Sequence, residues 1–138
     1  MILIITEAVD PHADQVAQKL FERGADFVRV NPAQFPTLTS VSLSYGAAGQ
    51  FQGTLRVGNQ TVDLHLLDAV WCRRLPRCVP HETVTDEASR VYLEEECSLY
   101  LQDVWNLLAC LCVPASPPRH PESCAEGLTA ETGRGTGF

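Results

Sequence analysis

Arg73 and Arg74 are the residues whose type and spacing most invite chemistry. They cut short the apolar run Asp68-Ala69-Val70-Trp71-Cys72. Neighbouring residues on an extended strand project to opposite sides, and an open α/β sheet collects its ligands at the carboxyl ends of its strands. The planar guanidinium fork suits a carboxylate or a phosphate. Two roles stay open for the pair: contact with a ligand or neighbouring domain, or ion pairing with Asp68 or with the acidic helix that follows. Trp71 lies at the same strand end and shares the candidacy. His12 falls in the first turn of a helix near that edge, where proton transfer would need a partner that no local spacing identifies. Asn31, just before Pro32, ends a strand and is suited to a cap or turn. Trp71, Arg73, Arg74, His12 and Asn31 are therefore the candidate substrate or domain-interface residues. No Ser-His-Asp or Cys-His arrangement emerges, so no catalytic residue is assigned.

Several other chemistries are excluded. Lys19 is the only lysine of the chain, and no Gly-Lys-Ser/Thr element exists to build a Walker-type phosphate loop. The turn after the first strand, Thr6-Glu7-Ala8-Val9-Asp10-Pro11-His12, has no glycine to let a dinucleotide pyrophosphate approach the backbone. Six cysteines (Cys72, Cys78, Cys97, Cys110, Cys112 and Cys124) contain no CxxC pair, and no histidine stands at zinc-finger spacing. They read as reduced structural thiols. The triplet Glu94-Glu95-Glu96 reads as a solvated helix face, so neither a metal nor a cofactor is expected on this chain.

The elements that must position these residues are legible from period and punctuation. Ile2-Leu3-Ile4-Ile5 is a continuous apolar strand of the kind covered on both faces. Asp10-Pro11 supplies an N-cap and a proline at the first helical position. Ala13, Val16, Ala17, Leu20 and Phe21 recur at helical spacing, and Gly24 closes the helix. Phe27-Val28-Arg29-Val30 completes a β-α-β unit. The period then becomes two: Ser40 to Tyr45, Phe51 to Val57, and Val62, Leu64 and Leu66 predict three antiparallel strands joined at glycine turns. After the Asp68–Cys72 strand, Thr85 is the expected N-cap of a long helix over roughly 86 to 111. The fold class is thus α/β: a central sheet of parallel core strands plus an antiparallel meander, flanked by helices. Residues 1–113 form the domain. Residues 114–138, with scattered prolines and glycines and no period, are expected to be a disordered or aberrant tail.

With 138 residues the chain can bury one real core. A net charge of −7 argues against nucleic acid or an anionic membrane as partner. No apolar stretch approaches the ~20 residues of a membrane span, and the start lacks a secretory signal, so a cytoplasmic location is expected.

The residues also carry a resemblance. Met1-Ile-Leu-Ile-Ile-Thr6, then His12-Ala13-Asp14 opening a helix, then Arg29-Val30-Asn31 with Phe35-Pro36 resembles the N-terminal, pre-ATP-grasp domain of microviridin-type ATP-grasp ligases. The stretch Asp68-Ala69-Val70-Trp71-Cys72-Arg73-Arg74 is similar to that domain's Val-Trp-Tyr-Arg-Arg segment, and Glu94-Glu95-Glu96 before a leucine-rich helix fits it as well. Two departures stand out: Cys72 replaces the usual aromatic, and Leu75 separates Arg74 from Pro76. The resemblance covers residues 1 to about 113 and implies a Rossmann-like domain. It implies an enzyme that uses ATP and Mg²⁺ to phosphorylate an acidic side chain of a ribosomally made precursor peptide. A hydroxyl or amine of the same peptide then displaces phosphate to form an ester or amide. The ATP- and Mg²⁺-binding groups belong to ATP-grasp domains that this sequence lacks, so the chain is expected to be inactive alone. Its partners would be those domains, the precursor peptide and a second copy in a homodimer. The alternative is a stand-alone, non-enzymatic α/β peptide-binding or protein-interaction module.

Overall fold

The computed structural model describes residues 1–114. In chain order the elements are β1 (Ile2–Ile5), α1 (Pro11–Glu22), β2 (Phe27–Val30), β3 (Thr39–Tyr45), β4 (Phe51–Val57), β5 (Gln60–Asp63), β6 (Ala69–Cys72), α2 (Glu87–Asn106) and β7 (Leu111–Val113), with single 3-10 turns at Pro32–Gln34 and Leu64–Leu66. The architecture is α/β. Four strands form a parallel sheet in the order β2-β1-β6-β7, and the antiparallel β3-β4-β5 meander forms a separate sheet instead of extending the first.

The central position of β1 explains its composition. Leu3, Ile4 and Ile5 are wholly buried, each contributing about 1.5–3 kcal/mol. Leu3 and Ile5 share one face with Val28, Val30, Val70 and Cys72, and that face joins the core formed with Leu55, Val62, Leu101, Val104 and Trp105. Ile4 belongs to the opposite face, where Ala13 of α1 is also buried. Phe21, expected in the apolar stripe of α1, is 73 % exposed.

Capping follows local chemistry. The Asp10 side chain accepts from the N–H groups of His12 and Ala13, and Pro11 occupies the first turn. At the other end Gly24 takes φ 66°, while Gly24 N and Ala25 N donate to Phe21 O and Leu20 O. This is a Schellman closure. The β4–β5 turn is Gly58-Asn59, with Gly58 at φ 58°. At Gly53 a Cβ would come within 2.8 Å of a Leu64 methyl. Glycine there lets the meander close on Leu64.

Three expectations are corrected. The N-cap of α2 is Asp86, not Thr85; its carboxylate accepts from Ser89 N. α2 stops at Asn106 instead of running to 111, and Leu111-Cys112-Val113 forms β7 beside β6. An unbroken apolar run satisfies a helix or a buried strand equally, and here the parallel ladder to β6 decides. The third alternating run is split: Val62 is in β5, whereas Leu64 and Leu66 belong to a 3-10 turn that leaves Leu64 buried and Leu66 exposed. The expected tail lies outside the described residues apart from Pro114.

Candidate functional site

The carboxyl ends of β2, β1 and β6 lie side by side, because Ile5 is in register with both Val30 and Cys72. The next residues of each strand build the site. Thr6 continues β1 with its N–H on Val30 O, and Arg73 continues β6 with its N–H on Ile5 O. Between them sits Asp10, 1 % exposed. Its carboxylate accepts from Thr6 Oγ1 at 2.6 Å, from Arg73 Nε at 2.7 Å to Oδ2 and 2.9 Å to Oδ1, and from the N–H groups of His12 and Ala13. Burial by itself would raise the Asp10 pKa. The hydrogen bonds from Thr6, Arg73 and Ala13, with the charge of Arg73, outweigh burial and hold the carboxyl well below the usual carboxylate range.

Arg73 also reaches His12, with Nη2 2.9 Å from Nδ1. A guanidinium only donates, so Nδ1 is the acceptor in this contact. Arg74 turns outward to Glu7 and is 57 % exposed, against 24 % for Arg73. Arg29 clamps the β1–α1 loop by donating to Glu7 O and Ala8 O while pairing with Asp14.

Arg73 and Arg74 are therefore both ion-paired, but not with the partners expected. Asp68 pairs with the amino terminus, and Glu94 of the acidic helix takes Arg77. Arg73 and His12 come together. Trp71 lies one residue before Cys72 on β6, in register with Ile4 and Val113 and half-buried. Asn31 caps the 3-10 turn by accepting from Ala33 N. Asp10 was legible as a cap but not as the partner of Arg73. The available signal was topological: both residues follow the ends of adjacent parallel strands.

The arrangement does not fit a nucleotide. The N-terminus of α1 is where a phosphate would sit, yet the Asp10 carboxylate already occupies those N–H groups and would repel an anion. Among the described residues no three His, Cys, Asp or Glu side chains are grouped to hold a metal, and no helix is long and apolar enough to cross a membrane. Burial pushes the thiols of Cys72 and Cys78 up to about 12 and about 11. Neither supplies thiolate near neutral pH.

A second concave feature flanks this edge. After Arg74 the chain drops along α2, where Cys78 N donates to Ser98 Oγ at 3.2 Å and Ser98 Oγ donates to Glu94 O at 2.6 Å. A cavity of about 230 Å³ lies there, lined by Leu75, Cys78, Glu95, Ser98, Leu101 and Trp105 among others. Trp105 is buried, and its Nε1–H has no acceptor among the described residues.

Fold and site together define an α/β domain with an ion-paired sheet edge and, among the described residues, no phosphate cradle. The chain belongs to the MvdD pre-ATP grasp domain family, whose model matches residues 1–115. Its fold is shared with the macrocyclase MdnC of Microcystis aeruginosa MRC, solved with the precursor peptide MdnA (24 % identity, TM-score 0.74, 84 % of this chain and 37 % of that one). It is shared too with a Chryseobacterium gregarium RiPP-associated ATP-grasp ligase, solved with ADP and a leader and core peptide (22 % identity, TM-score 0.72, 85 % and 35 %). The macrocyclase MdnB of Microcystis aeruginosa MRC is a third (21 % identity, TM-score 0.70, 80 % and 36 %). The chain thus spans little more than a third of the length of these structures. No curated protein sequence matches it.

Proposed function

We propose that the chain is the N-terminal domain of an ATP-grasp ligase that cross-links side chains of a ribosomally made precursor peptide through an acyl phosphate. The observation that carries this reading is the family match over residues 1–115, which takes in every described strand and helix. ATP and Mg²⁺ would be held by ATP-grasp domains outside this chain. The domain itself contributes scaffold, a face for those domains or for a second copy, and peptide contact, in the cytoplasm. Arg74 is the arm for that contact. Its Glu7 partner is itself accessible, so an acidic side chain of a peptide can replace it at small cost, whereas Arg73 is committed to a buried carboxylate.

The second reading, a stand-alone peptide-binding or protein-interaction module, is favoured by the cavity beside α2. Translating the source DNA beyond codon 138 in all three frames separates the two. The ligase reading expects a frame with glycine-rich strands, lysines and paired metal-binding carboxylates. Absence of such a frame in the following ~700 bases, about two domain-lengths of coding sequence, overturns it in favour of the module.

A further inference from the structure

The antiparallel meander ends on one side at β3, and that side is open. β3 runs for seven residues and pairs with β4 alone; among the described residues no other hydrogen bond reaches its backbone. Alternate N–H and C=O groups of an antiparallel strand point away from its partner. The other outer strands are short or guarded: β2 has four residues and carries Arg29, β5 has four and ends at Asp63, and β7 has three and runs into Pro114. β3 contains neither a charge nor a proline. Charge singles out the occupant. The chain carries −7, yet residues 30–55 contain no Asp, Glu, Lys, Arg or His. Two copies can meet here without the like-charge repulsion they would feel elsewhere. The apolar face of the meander also thins toward this side: Leu55 and Val62 are buried, Val41 and Leu43 half-buried, and Tyr45 exposed. A further strand beside β3 would cover the last three.

We infer that β3 pairs antiparallel with β3 of a second copy about a two-fold axis at Leu43, joining two three-stranded meanders into one sheet. Facing residues share a sheet face, so the axis passes through a residue and not between two. Thr39 is buried and unavailable to a partner strand. An axis at Ser42 would set Tyr45 against it. With the axis at Leu43, Val41 faces Tyr45 of the second copy, Ser42 faces Ser44, and Leu43 faces its own equivalent. A β-branched side chain against an aromatic ring and hydroxyl against hydroxyl are favourable cross-strand pairs. A contact between two strands is small, under about 1,200 Å², so the dimer is weak and concentration-dependent. The inference is independent of the ligase reading and of Arg74.

The test is sedimentation of the whole chain from about 1 µM to about 1 mM, the range of weak to moderate affinities. The mass should rise from 15.2 kDa toward twice that value. Two double variants then probe the register at Ser42 and Ser44, both exposed. Ser42→Lys with Ser44→Lys sets like charges directly opposite each other twice and should weaken the dimer about tenfold. Ser42→Lys with Ser44→Glu sets opposite charges there instead and should dimerise at least as tightly as the wild type. Circular dichroism of both should match the wild type, because these side chains project to solvent. A chain that stays monomeric over the whole range overturns the inference and leaves β3 to a strand of another protein. Two variants that both dimerise like the wild type place the contact elsewhere and overturn it as well. A second variant as weak as the first overturns the axis at Leu43.

Discussion

Residues 73 to 78 serve two neighbouring regions built on opposite principles. At the sheet edge every charged arm is answered: Arg73 by Asp10, Arg74 by Glu7, Arg29 by Asp14. Along α2, a few residues later, an apolar space stands open and the buried indole N–H of Trp105 lacks an acceptor among the described residues. The edge holds strands, loop and helix together with polar groups. The groove leaves an apolar space unfilled. A pair of adjacent arginines says little about a binding site until the partners of each are known.

The sharpest way to break this contrast is Asp10→Ala. It removes the cap of α1, the Thr6 bond and the partner of Arg73 together. The melting temperature should fall by roughly 10 °C or more. A fall no larger than that of an ordinary surface substitution would mean the edge is not locked.

Acid unfolding sharpens the same point. The folded Asp10 pKa lies below that of the unfolded chain, about 3.9. Between the two values only the unfolded state binds the proton, so stability rises with pH there. The contribution is complete above about pH 4–5 and is lost as pH falls through the folded value. Asp10→Asn should flatten the acid limb of a stability profile taken by urea melts between pH 2 and 6, the window around these carboxylate values.

Ser98→Ala tests the groove wall. It strips the acceptor from Cys78 N, at a cost of about 1–3 kcal/mol. The urea midpoint should drop with an unchanged slope. The smallest effect belongs to Arg74→Ala. Its pair with Glu7 is accessible on both sides, so stability should change by no more than about 1 kcal/mol, while binding of an acidic peptide, followed by fluorescence anisotropy, should weaken.

Much of this was readable in residue order. The short run Ile2–Ile5 reads as a strand covered on both faces, Asp10-Pro11 and Gly24 bracket α1, and the period-two runs with Gly58-Asn59 form the meander. What escaped was long-range. Whether the meander joins the parallel sheet depends on pairing that no local pattern encodes. Leu108 to Val113 suits a helix or a strand until β6 supplies a ladder. At the site, His12 found its partner in Arg73, 61 residues away, and Asp10 found it 63 residues away. Local spacing identifies a cap well and a distant ion pair poorly.

The measurement that most directly tests the contrast between locked and exchangeable arginines is a double-mutant cycle on Asp10–Arg73 and another on Glu7–Arg74, at low salt and at 0.5 M NaCl, where screening acts within a few ångströms. The expected result is a coupling at Asp10–Arg73 several times larger than at Glu7–Arg74 and retained in salt, with the Glu7–Arg74 coupling fading. Equal couplings, or a larger one at Glu7–Arg74, would contradict the division of labour between the two arginines.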